Sequence, residues 1–106
     1  MVEDGLMTHA RFGTLGTKPG RRDELIELLT RRGDGLAELG CLLYEVGFNN
    51  DQADAVFVAE LWTSESAHRA SLDLDSVRSS IAEAMPLLSG QMSSQSFEVV
   101  GSPLHD

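Results

Sequence analysis

The chain has 106 residues, with 17 acidic side chains against 8 basic ones and a formal net charge of −9. That length supports one domain, and an acidic surface repels phosphate backbones and anionic head groups, which argues against nucleic acid and membrane partners. No apolar run approaches the roughly 20 residues that span a bilayer, residues 1–5 lack the order of a signal peptide, and the single cysteine, Cys41, excludes an internal disulfide and fits a reducing, cytoplasmic setting.

Residues 7–16 read as a strand, with Ala10 and Phe12 on one face and His9 and Arg11 on the other. Met7 offers an alternative start. Thr17-Lys18-Pro19-Gly20 is a turn signal with proline placed to open a helix. Over residues 21–39 Leu25, Leu28, Leu29, Leu36 and Leu39 form one helical stripe. Gly33 and Gly35 interrupt it and predict a kink, and Gly40 predicts the stop.

Residues 41–48 read as a second strand, with Leu42, Tyr44, Val46 and Phe48 on one face, and residues 49–54 as a polar hairpin loop. The third strand, residues 55–62, is apolar on both faces apart from Glu60, so both faces are expected to be covered. Thr63-Ser64-Glu65 is a helix start, with hydroxyls for the cap and an acid in the first turn. Residues 65–72 and 76–88 read as helical around a break at 73–75, with Ile81, Met85 and Leu88 as the apolar stripe. Residues 92–100 read as the last strand.

The order is β-α-β-β-α-β, the split ferredoxin-like unit. The expected fold class is α+β: a four-stranded antiparallel sheet with helices on one face. It fills residues 1–106 as a single domain, with its core at about 7–101. The apolar open face of such a sheet is expected to meet a second copy, giving a homodimer. The sequence has no Walker loop, no Cys/His metal spacing and no nucleophile elbow, so no cofactor and no metal are expected.

Lys18-Pro19-Gly20 at the first helix, Gly40-Cys41 with Tyr44 at the second strand, and Glu60-Leu61-Trp62 before a Ser/Glu/Ala helix start together resemble the antibiotic biosynthesis monooxygenase (ABM) superfamily. The resemblance implies a dimeric α/β barrel in which two sheets face each other, with a cavity between each sheet and its helices. It also implies cofactor-free oxidation of phenols or hydroquinones by molecular oxygen, the substrate anion itself reducing oxygen. The protein's part is then a dry pocket, ring positioning and a polar group that stabilises charge.

Residue by residue, Trp62 matches the tryptophan of the polyketide-oxidising members. Their asparagine four positions earlier falls on Val58, and their tyrosine six positions later falls on His68, which can donate or accept a proton. A histidine that many members carry nine positions after the tryptophan is Ser71 here. Haem-degrading members place a tryptophan at that point and an axial histidine about ten further on, where this chain has Ser71 and Ile81.

Each of these residues also has a plainer role. Trp62 closes the end of a strand or forms a cavity wall. His68 is an exposed helix histidine or a pocket base. His9 is solvated or at a dimer interface. Glu60 pairs with Arg11 or a partner-chain group, or serves as a catalytic carboxylate. Tyr44 is a structural residue whose buried hydroxyl needs a partner, Ser71 a helix-surface residue and Cys41 an inert buried thiol. Leu25, Leu29, Ile81 and Met85 are core helix residues that also shape a cavity floor, and His9, His68 and His105 are in principle able to ligate iron.

The leading function is a cofactor-independent monooxygenase of a small aromatic, phenolic or quinol-type substrate. Trp62 and His68 would be its catalytic pair, and Tyr44, Val58, Glu60, Ser71 and Met85 would bind the small apolar or aromatic ligand. The alternatives are a non-catalytic small-molecule-binding protein, favoured by Val58 and Ser71, and an isomerase of a small carbonyl compound. Fold does not decide among them.

Overall fold

The structure is a computed structural model that describes residues 7–31 and 35–104. Its elements in chain order are β1 (Thr8–Thr17), α1 (Arg22–Leu29), α2 (Leu36–Leu39), β2 (Cys41–Gly47), β3 (Ala55–Trp62), α3 (Glu65–Ser71), α4 (Asp75–Ala84) and β4 (Leu88–Val99). The strands form one sheet in the order β2-β3-β1-β4, every neighbouring pair antiparallel. This is the expected α+β, ferredoxin-like arrangement. Among the described residues no helix is long and apolar enough to cross a membrane.

The core lies between sheet and helices. Leu25 and Leu28, three residues apart on α1, share a helix face and pack on Val56 and Val58 of β3, with Ala84 and Leu87 closing the cluster. Alternation along β3 therefore turns Val56, Val58, Glu60 and Trp62 toward the helices, and Ala55, Phe57, Ala59 and Leu61 toward the open face. Across the register, β1 sends His9, Arg11, Gly13 and Leu15 to the helix side and Phe12 to the open side. There Phe12 and Phe97 meet with ring centroids 5.7 Å apart.

Several boundaries differ from the expectations. The first helix is broken, not kinked: it ends at Leu29, and α2 begins after Gly35, whose φ is +89°. Gly33 lies outside the described residues. Gly40 is the expected stop, at φ +112°, and a Cβ there would also collide with the Thr63 hydroxyl. In β2 the register shifts between Cys41 and Leu43, so Leu42 leaves the face shared by Tyr44 and Val46. Phe48 lies beyond the strand, under the Arg22 guanidinium at 4.3 Å.

The second helical segment stops at Ala84, and Met85–Leu87 is a 3₁₀ turn around Pro86. Ile81 and Met85 are 49% and 61% exposed rather than core, while Ala84 and Leu87 fill the core positions. The last strand starts four residues earlier than expected, at Leu88.

Candidate functional site

Chemistry collects at one end of the helix-side face. The register sets Arg11 of β1 and Tyr44 of β2 on either side of Glu60, and His9 beside Trp62. Glu60 and Trp62 are two residues apart and so share a face. The fully buried Trp62 uses it, its indole Nε1 donating to Glu60 Oε1 at 2.9 Å.

α3 delivers the histidine. Its start is fixed by Ser64, whose hydroxyl accepts from the Ala67 backbone N–H at 3.1 Å. Thr63 N–H donates to the Gly40 carbonyl at 2.9 Å, tying the strand end to the α2 stop. His68 then meets Trp62 edge-on, with ring centroids 5.4 Å apart and planes at 73°.

A cavity of about 800 Å³ opens between sheet and helices. Tyr44, Glu60, Trp62, His68 and Ser71 form its polar wall, and Leu28, Leu36, Leu72, Val77, Ile81 and Met85 are among its apolar lining. A second concavity, about 630 Å³, lies on the open face along Phe12, Phe57, Ala59 and Gln95. Only the first combines apolar walls with convergent titratable groups, the usual mark of a ligand site.

Burial, followed by the nearby Arg11 charge, pulls the His68 imidazole below its usual value, although Glu60 pulls the other way. The ring is therefore neutral and proton-accepting near pH 7. Tyr44 is 37% exposed, yet burial of the remainder and the Glu60 charge push its phenol up to about 12. Burial also pushes the Cys41 thiol up, leaving it a protonated, unreactive lining group. Among the described residues no three His, Cys, Asp or Glu side chains are grouped to hold a metal ion.

The family model described as antibiotic biosynthesis monooxygenase matches residues 9–83. The chain belongs to the antibiotic biosynthesis monooxygenase family. A solved structure from Chloroflexus aurantiacus J-10-fl, provisionally named an antibiotic biosynthesis monooxygenase, is 32% identical, with a TM-score of 0.80 over 90% of this chain and 95% of that one. A protein of the same provisional name from Caulobacter crescentus CB15 is 20% identical, with a TM-score of 0.76 over 91% and 92% of the two chains. A Pseudomonas aeruginosa protein shares the fold at 17% identity, with a TM-score of 0.76 over 90% and 96%. No curated protein matches the sequence.

Of the residues singled out from the ABM resemblance, the structure gathers Trp62, His68, Tyr44, Glu60, Ser71 and Met85 around one cavity. Val58 lies in the core cluster, away from that lining. Four environments differ from expectation. Glu60 bonds to the Trp62 indole, not to Arg11. Ser71 is 3% exposed rather than on the helix surface, its hydroxyl donating to the His68 carbonyl at 2.6 Å. Tyr44 is only part-covered. His9 is 3% exposed rather than solvated, with Nδ1 2.5 Å from Glu98 Oε2. His105 lies outside the described residues.

Sequence reasoning set Arg11 beside Glu60, as the register does, but missed His9 and Glu98 as neighbours of the ABM cavity wall. Their alternation was legible, but Ala10 and Phe12 look like the core side of β1, and only the cross-strand register shows that the helices cover the other face.

Proposed function

We propose that this ABM-family chain is a cofactor-independent monooxygenase that oxidises a small aromatic, phenolic or quinol-type substrate with molecular oxygen, acting as a homodimer. The observation that supports it best is the Trp62–His68 pair, edge to face at 5.4 Å, on the polar wall of an otherwise apolar cavity. His68, kept neutral by burial and by Arg11, accepts the phenolic proton. Trp62, held by its bond to Glu60, orients the substrate ring. The resulting electron-rich anion reduces oxygen and the two combine at carbon. Loss of water from the peroxide leaves a carbonyl, so one oxygen atom enters the product and the other leaves as water.

The homodimer reading is supported by the open face, where Phe12, Phe97 and Leu43 are exposed together. A second reading, a binding protein without turnover, draws on Val58, whose side chain has no hydrogen-bonding group, and on Ser71, whose hydroxyl is already engaged. Oxygen uptake over a panel of naphthols, hydroquinones and anthrones separates the two. The monooxygenase reading expects consumption with at least one class. Binding by several compounds with no oxygen consumed overturns it in favour of the second reading.

A further inference from the structure

The edge strand β2 carries one residue more than its partner β3 over the same stretch. Cys41 pairs with Trp62, but the register then shifts, so that Leu43 pairs with Leu61 and Tyr44 with Glu60. Without that shift, the alternation running from Cys41 would set Tyr44 opposite Ala59, on the open face of the sheet. The bulge instead turns Tyr44 to the helix side, where it lines the cavity of about 800 Å³ together with Glu60. Bulges gather at sheet edges and beside active sites, where they re-aim a side chain.

The other donors of that polar wall are committed. The Trp62 indole N–H donates to Glu60, and the Ser71 hydroxyl donates to the His68 carbonyl. The neutral His68 imidazole keeps an acceptor nitrogen for the phenolic proton. Of the wall's hydroxyls, Tyr44 alone has no hydrogen-bond partner among the described residues. Burial and the Glu60 charge keep it protonated, so it donates at neutral pH. Tyr44 is also the diagonal cross-strand neighbour of Trp62, a spacing of about 7–8 Å that an aromatic side chain spans. A ring lying against the Trp62–His68 pair therefore meets a proton acceptor on α3 and a proton donor on β2.

We propose that Tyr44 is a specificity-determining residue of this cavity: its hydroxyl donates to a second oxygen on the ligand ring, and the preferred ligand is a quinol-type aromatic oxygenated at two positions, not a simple phenol. The proposal rests on the reading of the cavity as the ligand site and of His68 as its proton acceptor. Donation asks only for an acceptor lone pair, so a carbonyl, hydroxyl or ether oxygen serves. The apolar remainder of the ring system lies among Leu72, Ile81 and Met85.

The test measures binding under nitrogen. Each of the 4-, 5-, 6- and 7-methoxy-1-naphthols is compared with the methyl-1-naphthol substituted at the same position. Both keep the 1-hydroxyl, and the methoxy group adds an acceptor but no donor. At least one methoxy isomer should bind roughly three- to tenfold more tightly than its methyl counterpart, the range that one hydrogen bond contributes. Tyr44→Phe keeps the ring and should erase that preference without weakening the methyl compounds. Tyr44 is the chain's single tyrosine, so ¹³Cζ-tyrosine labelling reports on it alone. Its resonance should move further on saturation with the preferred methoxy isomer than with the methyl one, which keeps the test decisive where the phenylalanine variant does not fold. Equal affinities for every methoxy and methyl pair, a Tyr44→Phe protein that keeps the preference, or equal ¹³Cζ shifts would overturn the role of Tyr44. Methyl compounds that bind with no methoxy preference overturn it and leave the cavity reading intact, whereas no binding by any probe overturns both. Oxygen is excluded throughout, so failure of the oxidation chemistry is scored separately.

Discussion

At the residue scale, the pH behaviour of His68 is the most direct consequence of its setting. Burial and Arg11 disfavour the imidazolium, so the folded chain binds that proton less readily than the unfolded chain does. The base therefore stays free through neutral pH. The expected kcat/KM profile is flat there and falls only as the pH drops below the ordinary histidine value of about 6.5. The same group's effect on stability has the same sign: stability is lost as the pH falls below about 6.5. His68→Ala should lower kcat by roughly 10²–10⁴-fold, the range for losing a general base. Trp62→Phe removes the indole N–H and its bond to Glu60, and should raise KM and lower kcat together by misplacing the ring. Unchanged turnover by His68→Ala across pH 6–8 would make His68 a lining residue without a proton to move. Trp62 was legible because its type and place match the family pattern, and His68 because it stands at the position of that pattern's tyrosine. The buried state of His9 and Ser71 was not, because each side chain is held by a partner that the folded chain supplies, Glu98 at His9 Nδ1 for one and the His68 carbonyl for the other.

Elements follow local signals where those signals are strong. The boundaries of β3 are those read from the sequence, since Ala55 to Trp62 is an apolar run interrupted by Glu60 alone and ended by a Thr-Ser cap. The start of β4 was hidden by Leu88, Ser89, Gly90 and Gln91, which carry weak strand propensity: Leu88 pairs with Thr17, and the next three residues fall in the register shift before Met92 meets Leu15. The helix ends at Ala84 rather than Leu88 because Pro86 tightens the chain into a 3₁₀ turn. Two stability measurements check this level. Ser64→Ala removes the hydroxyl that accepts from the Ala67 N–H and should cost about 0.5–2 kcal/mol in urea unfolding. Leu25→Ala, at a fully buried α1 position, should cost about 2–5 kcal/mol. A near-zero effect of the second would mean that α1 does not seal the core over Val56.

At the scale of the whole molecule, one sheet has one face closed by helices and one face that keeps Phe12, Phe97 and Leu43 in contact with solvent in a single copy. A small domain gains buried area by pairing that face. Sedimentation at micromolar concentration should give about twice the 11.5 kDa chain mass, and a folded monomer there contradicts the dimer. The family, its ferredoxin-like order and a cavity between sheet and helices were readable from motif, periodicity and resemblance, but the full lining was not, because its walls come from several strands and helices at once, β2, β3, α3 and α4 among them. The central claim is that this cavity oxidises its substrate with no cofactor. It is tested most directly by turnover of metal- and flavin-free protein under ¹⁸O₂, with the product read by mass spectrometry. The account predicts one heavy oxygen atom in the new carbonyl and one equivalent of labelled water. Product formed without label, or no product from any ligand that the cavity binds, would contradict it.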